Sequence, residues 1–562
     1  MSRYEAIKEI ISALKQKKLS KADLARFKLK ICKKYGIKDI PKDIDIFLNS
    51  STADMKKIGL VSKPIRSSSG VSVVAIMTRP FKCPHGKCLY CPGGPDSFFG
   101  EIPQSYTGKE PATMRALRNR FDSYLQVFNR LEQYVASGHL PDKIELIIMG
   151  GTFPSFPKKY QDDFITYALK AMNDFGDLFF SDGSLNFAKY KSFFEMPGNM
   201  RDEARVNRII DNVLKLRKKS SLEHEQKRNE TSKLRCVAMC LETRPDFCFQ
   251  SHLNSMLDLG TTRVELGVQS LSKIILKKIK RGHSVEDSVK ATQLMKDCFL
   301  KVGYHMMPGL PGSSYSNDLK MFKELFKNPD FRPDALKIYP CMVIQGTDLH
   351  DLWKKGKYTP LSTKKASMLI ASLKRFVPKY VRIMRVQRDI PTNVTIAGVD
   401  RTNLRQYIEQ ILKRKNQECA CIRCREPRGR IVNVKDVHIS SFYYDASGGS
   451  EVFISAEDIT NNILLGFCRL RIPYKPFRRE ITKDSAGIRE LHVYGSAVPI
   501  GEKGSSIQHR GFGKQLLKEA EHIAKDVFDK KKLLVISGIG AREYYKKLGY
   551  KKDGIYVSKR LK

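Results

Sequence analysis

Acidic residues are scarce in this sequence. Its 562 residues include 59 Asp and Glu against 101 Lys and Arg, which leaves a formal net charge of +42 at pH 7. So large a positive excess predicts a polyanionic partner, and nucleic acid is the first candidate. The alternative is a generally lysine-rich composition, of the kind that some thermophiles show. The local concentration of charge described below favours nucleic acid.

Long apolar runs are absent as well. No segment reaches the length that crosses a bilayer, and the first residues lead into a charged pattern rather than a signal peptide. We therefore expect a cytoplasmic protein without membrane contact. The 13 cysteines are an odd number and six of them fall in two tight clusters, which indicates metal binding rather than disulfides.

The first cysteine cluster comprises Cys83, Cys88 and Cys91, spaced C-x4-C-x2-C. It follows the apolar, β-branched run 71–77, which predicts a buried strand, and a turn of proline and glycine ends it. The cysteines are therefore expected on a tight loop at the carboxyl end of a strand. Three thiolates suit a 4Fe–4S cluster with one iron left open for S-adenosylmethionine (SAM), as in radical SAM enzymes. The alternative is a structural zinc site with His85 or a distant residue as the fourth ligand.

From Val71 to about Pro391, short apolar runs alternate with helical stretches. This pattern predicts a parallel sheet, open or closed as a barrel, with its chemistry at the carboxyl ends of the strands. The chain is too long for one core, so we expect about two to four domains in all. The six predicted strands are 71–77, 144–149, 235–241, 263–269, 302–307 and 335–339.

Residues at these strand ends favour the 4Fe–4S cluster over zinc. A Gly-Gly turn after the second strand allows close approach of a backbone to the amino group of SAM. Glu265 and Gln269 fall at i and i+4 of one strand and are therefore expected on one face. The predicted SAM-binding residues are Gly150, Gly151, Thr152, Glu242, Glu265 and Gln269.

The second cysteine cluster comprises Cys419, Cys421 and Cys424 and lies among basic residues. A three-cysteine clip in a basic linker is most simply a structural zinc site whose fourth ligand comes from elsewhere. A second iron–sulfur cluster is the alternative. His438 and Cys341 are candidates for the missing ligand, and the sequence does not choose between them.

From about Ile431 the pattern changes to antiparallel strands. The segment 508–513 reads Q-x-x-G-x-G where a strand gives way to a helix, so backbone N–H groups can point at a pyrophosphate. A strand at 533–538 and two adjacent tyrosines follow, in the order found in the coenzyme A core of the GNAT acetyltransferases. Tyr544 and Tyr545 are candidates for the acid beside the CoA sulfur, unless both only pack. The predicted acetyl-CoA residues are Gln508, His509, Arg510, Gly511, Phe512, Gly513 and Tyr545.

The first 66 residues carry 17 Lys and Arg against 7 Asp and Glu. Apolar residues recur there at helical spacing, which predicts a small helical module with basic faces. Such faces neutralise phosphates and give affinity that does not depend on base sequence. The alternative is an ordinary solvated surface.

Taken together, these motifs resemble the catalytic subunit of Elongator, in the single-subunit form of archaea and some bacteria. A radical SAM core fused to a GNAT domain is a rare combination. The C-x4-C-x2-C spacing departs by one residue from the commonest radical SAM motif. The matching stretches are 83–96, 104–111, 150–155, 242–246, 265–270, 281–283, 305–308, 419–424 and 508–513.

The resemblance implies an α/β fold, with a partial TIM-like radical SAM barrel followed by a GNAT α/β domain and preceded by the basic helical module. The expected units are 1–68 (tRNA-binding module), 69–391 (radical SAM), 392–430 (basic linker with the zinc clip) and 431–562 (GNAT). It also implies catalytic roles for Lys280 and His283, beside the two tyrosines.

The implied reaction is carboxymethylation at C5 of the wobble uridine of tRNA. The implied cofactors are a 4Fe–4S cluster, SAM and zinc, with acetyl-CoA as a substrate. The implied partners are the tRNA anticodon stem–loop and an external electron donor, while the oligomeric state stays open. The alternatives are a protein lysine acetyltransferase whose cluster is structural, and a tRNA-binding scaffold without catalysis.

Overall fold

The computed structural model describes residues 3–17, 19–51, 54, 70–181, 184–199, 202–428, 430–494 and 511–561. The predicted residues Gln508, His509 and Arg510 lie outside this part of the chain. Within it, every helix is too short or too polar to cross a lipid bilayer.

A seven-stranded parallel sheet forms the first large unit, and its strands lie in chain order. All six predicted strands are present, and the seventh was missed. The strands span Ser72–Met77, Lys143–Met149, Arg235–Thr243, Arg263–Gln269, Lys301–Met306, Ala335–Ile338 and Arg382–Arg385. The first and last strands are each paired on one side only, so the sheet is a half-barrel with an opening between two free edges.

Helices cover the outer face of the half-barrel. Their apolar stripes supply the core: in the longest, Phe164, Leu169 and Phe175 are buried against the sheet. The helices are Pro111–Arg118, Ser123–Ala136, Lys158–Phe179, Phe187–Phe193, Glu203–Leu216, Leu222–Thr231, Gln250–Asp258, Lys273–Lys278, Val285–Asp297, Tyr315–Lys327, Asp348–Lys354, Thr363–Lys374, Leu404–Arg414 and Ile422–Arg425. Three two-stranded ribbons pair Gly94–Ser97 with Gly100–Ile102, Phe180–Ser181 with Ser184–Leu185, and Val343–Ile344 with Thr395–Ala397.

The second large sheet also has seven strands, and the antiparallel pattern predicted from about Ile431 is present in it. The strands are Val437–Ala446, Gly449–Asp458, Ile463–Ile472, Ser485–Val493, Lys532–Val535, Lys551–Asp553 and Tyr556–Arg560. Ser485–Val493 pairs with Lys532–Val535 in parallel, while the other pairings are antiparallel. The helices Phe512–His522 and Arg542–Lys546 accompany this sheet.

The second sheet docks against the amino-terminal ends of the half-barrel strands. Close approach is possible because Gly538 has no side chain: a Cβ there would collide with the carbonyl of Val237. Buried charges then join the two units. Arg489 donates to Asp334 at 2.6 and 2.7 Å and to Glu451 at 2.8 Å.

A second pair extends this buried network. Arg471 of the second sheet donates to Asp297, at the end of a barrel helix, at 2.6 Å, and both side chains are fully buried. Nearby, burial lowers the pKa of Lys296 to about 8, although Glu451 and Asp334 act against that shift. Charges removed from water are tolerated only when each meets an opposite charge. The network therefore fixes how the two units sit together.

The predicted basic helical module is present at the start of the chain. Its helices span Arg3–Gln16, Lys21–Lys34 and Asp43–Asn49, and they share a small core of their own. Several of its lysines are already paired, since Lys15 contacts Asp54 and Lys34 contacts Glu9. The basic face is consequently smaller than the composition suggests.

Replacing Arg489 with Met should destabilise the protein strongly. The change leaves Asp334 and Glu451 buried with one counter-charge fewer, and breaking a buried ion pair in this way costs about 3–5 kcal/mol. Urea unfolding of the full chain, followed by far-UV circular dichroism, measures the loss. Lys158→Met is the matched control, because Lys158 makes an exposed pair with Asp162 and such pairs contribute about 0–1 kcal/mol. Equal urea midpoints for the two variants would contradict the importance given to the network.

Candidate active site

The first cysteine cluster lies at the carboxyl end of the half-barrel, on the loop after the first strand. Each sulfur has a different neighbour: Thr152 Oγ1 is 3.7 Å from Cys83 Sγ, and Gln104 Oε1 is 3.1 Å from Cys91 Sγ. The Arg281 guanidinium lies 3.5 Å from Cys88 Sγ.

Burial raises the pKa of two thiols in this loop. The pKa of Cys91 rises to about 11, and that of Cys83 is also raised by burial, against the opposing effect of Thr152 and Arg281. Protein groups alone therefore keep the thiols of Cys83 and Cys91 protonated. Thiolates at this position need a bound cation, as a metal centre would supply.

The spacing of the sulfur atoms distinguishes a cluster from a single zinc ion. A tetrahedral zinc ion holds its sulfur ligands about 3.8 Å apart. The three sulfurs of the second cysteine cluster lie within 4.8 Å of one another, whereas those of Cys83, Cys88 and Cys91 do not meet that limit. Wider spacing fits thiolates that bind different irons of one cluster.

The Gly150–Gly151 turn lies beside this loop. Both glycines have positive φ, +119° and +110°, and a Cβ on Gly150 would collide with the hydroxyl of Thr78. No other residue fits this backbone without strain. Thr152 comes next and contacts Cys83, so the predicted turn and the cysteine loop form one site.

A buried ion cluster stands on the inner wall of the half-barrel. Lys337 contacts Glu265 and lies 2.7 Å from Glu242, while His305 Nε2 lies 2.8 Å from Glu265. Although burial opposes it, Lys337 lowers the pKa of both carboxyl groups, which stay ionised. Tyr106 donates to Glu242 at 3.1 Å.

The geometry bears on two predictions about this wall. Glu265 contacts Lys337 and Arg263. The strand is irregular between Leu266 and Gln269, and Gln269 has φ +68°. Gln269 borders the chamber, as does Arg263 of the same strand, and the same-face arrangement of Glu265 and Gln269 stays a prediction. Glu242, Glu265 and His305 are close enough to hold a metal, but the ammonium of Lys337 takes that place.

The second cysteine cluster is compact enough for one metal ion. Lys374 Nζ lies 3.4 Å from Cys424 Sγ and supports negative charge on it. Among the described residues, neither His438 nor Cys341 lies close enough to the three sulfurs to be the fourth ligand. Cys341 packs with Cys88 and Cys91 instead.

One chamber of about 1580 Å³ occupies the interior of the half-barrel. Its wall includes Lys143, Arg235 and Lys301 at the amino-terminal ends of the strands. It also includes Glu242 and Gln269 near the carboxyl ends, beside the cysteine loop. Strands of this length extend about 20 Å, so the chamber runs from the docked second sheet to Tyr90 of the cysteine loop.

The second sheet contributes the other end of the chamber. Gly511, Gly513, Tyr544 and Tyr545 line it, and Gly511 begins a helix with φ +86°. A Cβ on Gly513 would lie 3.1 Å from the hydroxyl of Tyr544. Tyr545 is 7% exposed and packs edge-on against Tyr544 and Tyr550. Tyr544 is therefore the tyrosine nearer to the glycine loop.

The structure does not bring the other two predicted catalytic residues to the chamber. Lys280 is exposed and lies 3.0 Å from Asp348. His283 is buried behind the cysteine loop, where burial and the nearby Arg281 lower its pKa to about 2. Their catalytic roles remain predictions.

Family models match nearly the whole chain. They are the ELP3 N-terminal domain (residues 3–68), the Radical SAM superfamily (78–325), the Radical_SAM C-terminal domain (333–414) and the Acetyltransferase (GNAT) family (422–550). These matches confirm the predicted fold class, in which a radical SAM half-barrel is followed by a GNAT unit.

Full-length relatives decide the family. The chain is 50% identical over 525 residues to "tRNA uridine(34) acetyltransferase" of Methanocaldococcus infernus, covering 92% of this chain and 90% of that protein. It is 42% identical over 554 residues to "Elongator complex protein 3" of Saccharomyces cerevisiae, covering 95% and 91%. This chain belongs to the Elongator complex protein 3 family.

A solved structure supports the same assignment. The archaeal Methanocaldococcus infernus Elp3 with an N-terminal deletion (1–46) aligns with a TM-score of 0.71 and 45% sequence identity. The alignment covers 88% of this chain and 100% of that chain. The likeness to that archaeal protein thus extends over both large units of this chain.

Several residues of the site were not predicted. Lys337 holds the two carboxylates, and Gln104 and Arg281 contact the cysteine sulfurs. Only Lys337 left a usable signal, since a lysine within the apolar strand Ala335–Ile338 is unusual unless it faces a polar interior. The other contacts depend on long-range folding.

Replacing Tyr544 with Phe should slow CoA release from acetyl-CoA more than replacing Tyr545. The Tyr544 hydroxyl faces the glycine loop, and loss of a general acid costs about 100- to 10,000-fold in rate. Steady-state CoA release measures both variants, and Tyr545→Phe serves as the control because it keeps the packing of the ring. A larger loss in Tyr545→Phe would reverse the assignment.

Proposed function

We propose that this chain modifies the wobble uridine of tRNA, placing a carboxymethyl group on C5 with the acetyl unit of acetyl-CoA. The observation that carries the proposal is the single chamber joining the cysteine loop to the glycine loop. An acyltransferase and a radical enzyme would otherwise need two separate sites. The names of the relatives, which include tRNA uridine(34) acetyltransferase, support the substrate.

At the upper end, Cys83, Cys88 and Cys91 would hold a 4Fe–4S cluster, and the Gly150–Gly151 turn would lie against SAM. When bound, these groups supply a 5′-deoxyadenosyl radical, which can remove a hydrogen atom from the acetyl methyl. Arg281 places a positive charge beside Cys88. Glu242, Lys337 and Tyr106 form a fixed polar wall that orients what enters.

At the lower end, Gly511 and Gly513 leave the first turn of the helix Phe512–His522 open to a pyrophosphate. Attack of water on the acetyl carbonyl would break the bond to sulfur and give acetate, and the Tyr544 hydroxyl is placed to give a proton to the departing sulfur of CoA. Burial raises the pKa of Tyr544, so this hydroxyl is protonated at neutral pH. The acetyl unit then has only the interior of the half-barrel to cross.

The remaining partners follow from charge and cysteine chemistry. An external electron donor is needed for the radical step. The Cys419–Cys424 clip would hold zinc, with a fourth ligand still to be assigned. The basic amino-terminal module would add affinity for the tRNA backbone through lysines that make no ion pair among the described residues, Lys30 and Lys33 among them.

Product analysis of tRNA tests this function. The full chain, prepared anaerobically, is incubated with tRNA, SAM, a reductant and acetyl-CoA, and the nucleosides are identified by mass spectrometry. We expect 5-carboxymethyluridine from the wild type and none from Cys88→Ala, together with lost iron. Cys32→Ala is the matched control, because Cys32 is buried in the amino-terminal module away from the site.

Two results would overturn the proposal. Carboxymethyluridine formed by Cys88→Ala with intact iron content would remove the cluster from that loop. Acetylated lysine in a protein substrate, with tRNA unchanged, would instead identify a protein acetyltransferase.

A further inference from the structure

The short helix Lys273–Lys278, on the outside of the half-barrel, carries an exposed apolar residue. Ile274 is 80% exposed, and among the described large apolar residues only Ile431 is more exposed. Its neighbours Ile275 and Leu276 are buried, so the helix packs on the protein through its other face. A single exposed apolar residue is common on protein surfaces, and only its surroundings can make it informative.

Lysines lie beside Ile274. Lys277 and Lys278 are three and four residues further along the helix, the positions that share its face. The segments 82–87, 273–280 and 348–357 together carry nine lysines and two aspartates, and we call the surface that they form the lysine face. Lys82, Lys273 and Lys280 pair with Asp96, Glu286 and Asp348. The lysines that make no ion pair within the described part of the chain are Lys87, Lys277, Lys278, Lys354, Lys355 and Lys357.

The lysine face adjoins the outer side of the cysteine loop. Leu89, which follows Cys88, donates its N–H to the carbonyl of Ile279 at 3.1 Å. The N–H of Leu349 donates in turn to the carbonyl of Leu89 at 2.9 Å. At the tip of the loop, a Cβ on Gly86 would meet no atom within 4 Å, so the loop is open to solvent there. Backbone hydrogen bonds thus hold the lysine face to the loop that carries the cysteines.

Ile274 is close to the cysteines but separate from the chamber. Five residues lead from Ile274 to Ile279, which is roughly 7.5 Å along a helix, and Ile279 contacts the residue after Cys88. None of the described residues in the three segments of the lysine face borders the chamber. A partner on this face would therefore lie near the cysteines while the chamber stays free for the substrates.

We propose that the lysine face is the docking site of a small acidic protein that carries single electrons and reduces the cluster held by Cys83, Cys88 and Cys91. This inference rests on the proposed function, because the radical step needs an external electron. The reduced carrier gives up one electron and is oxidised, the cluster gains that electron, and no covalent bond forms or breaks. Docking on the outer side delivers the electron without displacing anything from the chamber.

The composition of the lysine face favours a protein carrier over a nucleic acid. Clustered lysines steer an acidic protein to the surface from a distance, and complexes of electron carriers have small, transient interfaces. The exposed Ile274 supplies an apolar centre with a charged rim, which a protein interface uses and a phosphate backbone does not. Arginine, which binds phosphate through two parallel hydrogen bonds, is absent from the three segments.

The test measures how fast the cluster is reduced. The full chain, loaded with its cluster under anaerobic conditions, is mixed with reduced flavodoxin, a small acidic flavin protein. Stopped-flow absorbance and electron paramagnetic resonance follow the reduction. Lys277→Glu with Lys278→Glu should slow it about tenfold or more at low salt, because electrostatic steering raises association rates by about 10- to 1,000-fold. The double variant should also lose most of the salt dependence that the wild type shows.

Ile274→Ala tests the apolar centre of the lysine face. Truncating a central interface residue weakens docking, so reduction by flavodoxin should slow by about fivefold. The charges are unchanged in this variant, and its salt dependence should therefore match that of the wild type. Because Ile274 is exposed, thermal unfolding should also stay at the wild-type value.

Controls separate docking from general charge and from damage to the cluster. Lys218→Glu with Lys219→Glu is the matched double variant, because these adjacent lysines are exposed, make no ion pair among the described residues and precede the helix Leu222–Thr231. Flavodoxin should reduce it at the wild-type rate. Dithionite, a small inorganic reductant that needs no docking surface, should reduce all variants at similar rates and support equal formation of carboxymethyluridine.

Three results would overturn the inference. One is equal reduction by flavodoxin in the wild type and in the variant with Lys277→Glu and Lys278→Glu. Another is a wild type that dithionite reduces and flavodoxin does not. The third is a loss of tRNA affinity in that variant with reduction by flavodoxin intact, which would assign the lysine face to nucleic acid. Each can occur while the wild type, reduced by dithionite, forms carboxymethyluridine, so failure here is distinct from failure of the proposed function.

Discussion

The arrangement of this protein depends on charges buried where the two large units meet. Arg489 of the second sheet reaches Asp334 at the start of a barrel strand, and Arg471 reaches Asp297 at the end of a barrel helix. These groups are out of water, so each is stable only in contact with the other. The orientation of the GNAT unit is thereby tied to the amino-terminal ends of the half-barrel.

Docking of the GNAT unit makes the interior of the open half-barrel a chamber that both units line. In a closed barrel, side chains fill the interior and leave no passage. Here the interior is a chamber whose wall carries ions such as Lys337 and Glu242, and whose lower end is the GNAT unit. The thioester and the radical chemistry can therefore share one continuous space, about 20 Å long, without a large movement of either unit.

Local sequence was sufficient for much of this architecture. The β-branched runs, the Gly-Gly turn and the glycines at 511 and 513 each predict a backbone form that their own residues require. The strand Arg382–Arg385 was missed because its residues, R-I-M-R, show too short an apolar run.

Contacts between distant parts of the chain could not be predicted from the sequence. The buried ion cluster of Lys337, Glu242 and Glu265 joins three strands. Its ion pairs form only when the sheet brings the three strands together, so they could not be predicted from any one segment. The choice between Tyr544 and Tyr545 likewise depends on which hydroxyl approaches Gly513. Sequence spacing alone does not show which of two adjacent helical tyrosines places its hydroxyl beside the glycine loop.

The central claim is that the acetyl unit passes through the interior of the half-barrel and does not leave the protein. Isotope dilution tests it directly. The full chain is supplied with tRNA, SAM, a reductant and acetyl-CoA labelled with ¹³C in both acetyl carbons, with a large excess of unlabelled acetate in solution. The account predicts carboxymethyluridine that keeps both labelled carbons at every acetate concentration. Label that falls as acetate rises would show that the acetyl unit is released to solvent, and would contradict the account.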